Sequence, residues 1–213
     1  MLLITVAAIL FGRRDLGGHE FAFASEAHRW TDAGLLSDGD LVFRTGRDMM
    51  SRLVLSQGDS PRFSHVGVIL KSELGVFVIH ALPRDGSSPG GVLVDALNSF
   101  ASSENASDIA FYRVKGINAN SRNKIREYVL RQVGKPFDDE FLLSNDRKVY
   151  CTELAIGSFA SAGIDIAASL PHVQVMMLAE PVVPPDYLRR SPLLELMPPI
   201  KALQAPRRQT ARS

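Results

Sequence analysis

The sequence predicts an α+β fold: an antiparallel sheet, or a partial barrel, packed against a helix that carries Cys151, the chain's one cysteine. Two β-branched apolar runs, Phe63–Leu70 and Val76–Leu82, are split by a short break ending at Gly75, as in a hairpin. Further β-type runs follow them instead of alternating with helices, which favours antiparallel pairing. Helical patterns dominate only afterwards, over 120–133 and from Cys151 onward.

Taken in order, Met1–Phe11 is almost continuously apolar but too short to span a bilayer. It resembles the apolar core of a signal peptide, with a small-residue pattern at Ala22-Phe23-Ala24, although no basic stretch precedes it and Arg13 and Arg14 follow. A leader, a membrane-touching segment and a buried first element all fit; the expectation is export to the periplasm or membrane association. Leu41–Arg44 reads as the first strand and Asp48–Gln57 as a short helix beside the cleft. Val92–Leu97 and Ile109–Val114 read as further strands, separated by a polar loop over Ser99–Ser107. Ile125, Val129 and Val133 recur at helical spacing, and Gly134 with Pro136 stops that helix. Its basic residues from Arg122 to Arg131 read as a solvated side. Beyond Leu178, Pro181, Pro184, Pro185, Pro192, Pro198 and Pro199 argue against regular structure. Yet Val182, Tyr187, Leu193, Leu194, Leu196 and Met197 argue that the segment packs on the domain or covers the cleft, with Arg207–Ser213 loose.

Alternation along the hairpin puts Val66, Val68 and Leu70 on one face, opposite His65, Gly67 and Ile69. Phe77, Ile79 and Ala81 likewise oppose Val76, Val78 and His80. A four-residue loop over 71–74 pairs Leu70 with Gly75, Val68 with Phe77 and Val66 with Ile79, gathering one apolar face. That register sets His65 directly across from His80, with Cβ atoms about 5 Å apart.

Cys151 follows the polar run Ser144–Lys148 and the short Val149-Tyr150 segment, so it falls at the start of a helix that stops at Gly163. Backbone N–H groups there lack intrahelical partners; their partial charge favours a thiolate and suits an oxyanion. A lone cysteine is more often a small buried hydrophobe, and either histidine alone is more often satisfied by backbone or water. Together the three fit a nucleophile and its base. One nitrogen of His65 takes the Cys151 proton, and His80 holds the other, setting tautomer and ring orientation. One cysteine and two histidines leave a zinc ligand set incomplete, and no HExxH spacing occurs, so neither metal nor cofactor is expected.

At 213 residues and 46% hydrophobic content the chain can bury a good core. A formal net charge of +1 gives no electrostatic footprint for nucleic acid.

Gly39-Asp40-Leu41-Val42-Phe43, Ser64-His65-Val66-Gly67-Val68 and Tyr150-Cys151-Thr152-Glu153-Leu154, in that order, resemble the YiiX/YebB-like cysteine hydrolases. These are circularly permuted relatives of NlpC-type papain-fold enzymes. Gly134-Lys135-Pro136-Phe137-Asp138, Phe141 and the polar turn before Tyr150 resemble their approach to the cysteine, so the likeness spans about residues 37–165. It implies a permuted papain-like (NlpC-type) fold with histidine ahead of cysteine, Cys151 as nucleophile and His65 as base. Glu is common at the third position of YiiX-like members. His80 stands there here, as in the His/His/Cys arrangement of NlpC-type peptidases and lecithin retinol acyltransferase relatives, with Asp95 and Glu153 as fallback orienters.

Candidate substrate-binding residues are Tyr150, beside the oxyanion position; Ser64, in the motif of the base; and Asp138, a turn residue near the cleft. The implied activity is thiol-dependent hydrolysis of a peptide amide, by analogy cell-wall derived, through an acyl-enzyme. Lipid acyl hydrolysis or transfer is the alternative enzyme, and a non-catalytic ligand-binding module the alternative of another class. A peptide or acyl-lipid substrate is thus the expected partner, nucleic acid is not, and the N-terminal segment is the candidate membrane contact. The expected organisation is a lead-in over 1–35, a catalytic domain over 36–179 and a Pro-rich extension over 180–213.

Overall fold

Six antiparallel strands form one sheet in the order β4-β3-β2-β1-β5-β6. The structure, a computed structural model, describes residues 29–31, 34–47, 51, 54, 61–86, 89–142, 144–174 and 178–198. Its strands are β1 (Leu41–Gly46), β2 (His65–Ser72), β3 (Gly75–Leu82), β4 (Gly91–Ala96), β5 (Ala106–Val114) and β6 (Leu194–Leu196). The helices are α1 (Leu97–Phe100), α2 (Ala119–Gln132), α3 (Cys151–Ala160) and α4 (Pro185–Leu188). The N-terminal apolar segment and most of Asp48–Gln57 lie outside the described residues; Ser51 and Val54 are helical.

Both faces of this sheet are covered, which explains apolar runs with little alternation. On one face Leu41, Phe43, Val66, Val68, Leu70, Ile79 and Ala81 pack with Ile125 and Val129 of α2 and with Leu154, Ala155 and Phe159 of α3. On the other, Val42, Ile69, Val78 and Phe111 pack with Trp30, Leu36, Leu97 and Phe100. Leu97, expected as the last residue of a strand, instead opens α1, and the polar loop is correspondingly shorter, because Leu97 and Phe100 cover this second face.

The hairpin register differs from expectation by two residues. Val68 pairs with Ile79, Leu70 with Phe77 and Ser72 with Gly75, so the turn is only Glu73-Leu74. A tight turn extends the ladder through Lys71↔Val76 and Ser72↔Gly75, which a four-residue loop would forfeit. A slip of two preserves every side chain's face, so His65 and His80 stay on one side but meet diagonally.

Gly67 makes that diagonal feasible. A Cβ there would lie 2.3 Å from Val78 Cγ1 and 3.2 Å from His80 Cβ. Val78 is β-branched and fully buried, so it has little room to yield. Gly67→Ala should therefore cost about 1–3 kcal/mol of stability, the usual range for overpacking, and displace His80. Urea unfolding checks this, and an unchanged midpoint would contradict it.

Helix α2 begins at Asn118, whose side chain accepts from the Ser121 N–H at 2.9 Å. Its basic side is not simply solvated. Arg126 pairs with Asp38 at 3.0 Å, and Arg122 joins Arg113 on the fully buried Asp40. These bonds tie α2 to the lead-in of β1.

The Pro-rich segment carries regular structure after all. Pro185 starts α4, where a missing N–H costs nothing, and β6 is an edge strand pairing Val114 with Leu194 and Tyr112 with Leu196. Buried Asp186 accepts from the N–H groups of Arg62 at 2.9 Å and Phe63 at 3.2 Å, and pairs with Arg189 and Arg190. The segment thus packs on the domain and braces the stretch leading into His65.

Candidate active site

His65 opens β2 and His80 lies on β3; both are buried. His65 Nε2 sits 2.9 Å from His80 Nδ1, and His80 Nε2 sits 3.0 Å from Asp95 Oδ2 on β4. Each step crosses one strand diagonally: His80 pairs with Leu93 while Asp95 pairs with Val78. Alternation keeps all three on one face, and diagonal neighbours there are within reach of long side chains. Asp95, a fallback orienter in the sequence, is the outer end of this chain.

The network assigns the tautomers. A carboxylate only accepts, so His80 Nε2 carries the proton and His80 Nδ1 is bare. His65 Nε2–H then donates to it, which leaves His65 Nδ1 as a bare lone pair. Asp95 is held below its usual range chiefly by the bond to His80. Burial drives His65 well below the ordinary imidazole value, helped by the charges of Arg44 and His80. Burial also lowers His80, against the opposing bond to Asp95. Both rings are therefore neutral at rest.

Cys151 is the first residue of α3; the residue is only partly buried, while its sulfur is withdrawn from water. The backbone N–H groups of Val66, Thr152 and Cys151 itself favour the charged form of its sulfur. Val66 directly follows His65, so the sulfur meets the sheet at the start of β2. Among the described residues no hydrogen bond joins Cys151 to His65; such bonds often tighten only with substrate present. The expected thiolate is corrected here. Burial pushes the thiol up to about 11, and the N–H groups and Arg44 only partly oppose it. Partial charge at a helix start is outweighed by loss of water around the sulfur.

Arg44 was read only as the end of a strand. It is buried on β1 directly across from His65, with Nη1 donating to the Phe100 carbonyl at 3.0 Å. Its guanidinium lies 4.4 Å from the Phe100 ring centre, and that ring also touches His65 and His80. The available signal was a lone arginine closing the run Leu41-Val42-Phe43.

The three candidate binding residues are not brought together. Ser64 is buried, and its hydroxyl accepts from the Gly46 N–H at 2.9 Å, pinning β1 to the start of β2. Asp138 is fully buried and accepts from the N–H groups of Glu140 and Leu142, holding the turn before Val149. Tyr150 is buried beside Phe141 and lines a cavity of about 490 Å³ with Tyr128, Glu153, Ile156, Asp165 and His172. Glu153 accepts from the Tyr150 N–H at 3.3 Å, capping α3, and burial raises its carboxyl to about 7. Neither Cys151 nor His65 lines this cavity.

A sheet bearing His65 and His80, followed by a helix that opens on Cys151, fits a class: papain-like cysteine hydrolases in permuted order. The chain belongs to the family of permuted papain-like amidase enzymes, YaeF/YiiX, C92 family, which it matches over residues 35–197. Among solved structures it is similar to the metalloprotein yiiX from Escherichia coli O157:H7, a DUF1105 protein, with 20% identity and a TM-score of 0.63. That similarity covers 76% of this chain and 97% of the other. No curated protein matches the chain. The neighbour is described as a metalloprotein, but here His65 Nε2 and His80 Nδ1 are committed to each other. Among the described residues no group of three or more His, Cys, Asp or Glu is placed to hold a metal ion, so this donor set does not fit one. No described helix is long and apolar enough to cross a membrane.

Proposed function

We propose that the protein hydrolyses a peptide amide through an acyl-enzyme on Cys151, with His65 as base and His80, anchored by Asp95, as its orienting partner. The observation that carries this reading is the Asp95–His80–His65 chain, which leaves His65 with a bare Nδ1 one residue before Val66, whose backbone N–H favours charge on the sulfur. The Cys151 S–H proton passes to His65 Nδ1 as sulfur bonds to the carbonyl carbon. N–H groups at the start of α3 hold the resulting oxyanion. As the C–N bond breaks, His65 returns its proton to the leaving amine, and a thioester remains. Water then attacks with His65 again as base, the C–S bond breaks, and the carboxylic acid departs while the thiol is restored.

A peptide substrate, by analogy a cell-wall fragment, is supported by the family's amidase character. The catalytic unit is read as 36–179 and the Pro-rich extension as 180–213, with the stretch around Asp186 bracing the unit through its bonds to Arg62 and Phe63. The test is a panel of peptide amides and acyl lipids, followed by the intact mass of the protein quenched in acid. A peptidyl adduct on Cys151 is expected. An adduct with the mass of a fatty acyl group would indicate the lipid alternative, and neither adduct nor turnover would indicate a binding module.

A further inference from the structure

We propose that Arg44 is a positioning residue of this site: its buried guanidinium, clamped on Phe100, sets a fixed positive charge against His65 and His80 and so keeps the base free of a proton in mildly acidic solution. The purpose rests on the hydrolase reading above, whereas its test does not.

The placement is specific. Arg44 is 4% exposed and faces His65 across the β1–β2 ladder. One residue, Phe100, holds the whole cluster: its backbone carbonyl takes the Arg44 Nη1–H at 3.0 Å, its ring face takes the guanidinium, and its ring centre lies 5.7 Å from His65 and 5.0 Å from His80. Guanidinium does not lose its proton in proteins, so the charge is permanent. Burial removes the water that would screen it.

The charged and titratable groups that face the imidazoles are Arg44 from β1, each other from β2 and β3, Asp95 from β4 and Cys151 from α3. Arg44 opposes protonation of both rings and favours charge on the sulfur. For the step that moves a proton from sulfur to His65 these two effects partly cancel. What remains is protection of the resting base against protons from solution.

The experiment follows histidine ring signals by NMR from about pH 4 to about pH 8, across the ordinary imidazole range. Wild-type His65 should stay neutral well below that range's centre. Arg44→Gln keeps a donor for the Phe100 carbonyl but drops the charge, so the His65 midpoint should rise by roughly one pH unit. The acid limb of kcat/KM should rise with it. Arg44→Lys keeps the charge and should leave the midpoint near wild type. A midpoint unmoved by Arg44→Gln, or moved equally by both variants, would overturn the proposal and reduce Arg44 to packing. Should Arg44→Gln fail to fold, Arg44→Met, which buries no polar group, carries the same comparison. A protein that cleaves nothing while His65 titrates as expected would refute the hydrolase reading alone; an active enzyme whose His65 ignores Arg44→Gln would refute this inference alone.

Discussion

Cys151→Ala should abolish amide hydrolysis, by about four orders of magnitude or more, the scale seen when a nucleophile is deleted from a working unit. Stability should hardly change. Cys151 as a residue is only partly buried, and trimming one sulfur costs about 1 kcal/mol, or a few degrees of Tm in a chain of this size. Measured together, turnover and melting separate a chemical role from a packing one. A variant that melts normally yet keeps activity would remove Cys151 from the mechanism. The thiol's own ionisation adds a second signature. With the thiol pushed up to about 11, little thiolate exists near neutrality, so iodoacetamide should label Cys151 more slowly than free cysteine there. The rate should climb as pH rises toward that value. Fast labelling near pH 6 would instead mean a resting thiolate–imidazolium pair.

Exchanging the two histidines one at a time should give unequal losses. His65→Gln removes the imidazole proposed as the base for Cys151, and the expected loss is about a thousandfold, within the range for a general base. His80→Gln is milder. The carbonyl oxygen of glutamine can still accept from His65 Nε2–H, so the correct tautomer survives although the ring is less firmly held. A loss of roughly tenfold to a hundredfold is expected, comparable to removal of an orienting partner elsewhere. Steady-state kcat/KM on one amide substrate decides the matter. Equal and complete loss in both variants would mean that His80 shares the chemistry.

Much of the fold could be read in one dimension because the central strands are buried on both faces and therefore advertise themselves as apolar runs. The two central strands, the later strands and α2 all fall within a few residues of their expected positions. The hairpin register could not be read so closely. Face parity repeats every two residues, so the pairings Val66–Ile79 and Val68–Ile79 satisfy the same hydrophobic pattern, and only the turn distinguishes them. Prolines misled for a related reason. Counted, they oppose regular structure, but Pro185 falls at a helix start and β6 lies at a sheet edge, two places where proline is tolerated.

The site divides along the same line. The candidates Cys151, His65 and His80 stand out in the sequence because thiol and imidazole are scarce and chemically distinctive, with Asp95 as an alternative orienter. Arg44 does not, since an arginine at a strand end reads as surface until pairing puts it beside His65. The thiol's charge state also escaped, because a helix start favours a thiolate whereas burial opposes it.

From its own order of residues this chain settled β1 to β5, the two long helices and which side chains are able to do chemistry, because periodicity and residue type are local. The tertiary structure alone decided the diagonal that links Asp95, His80 and His65, the buried cation beside them and the neutral resting thiol. Those depend on strand register and on exclusion of water, and both arise only when distant segments pack.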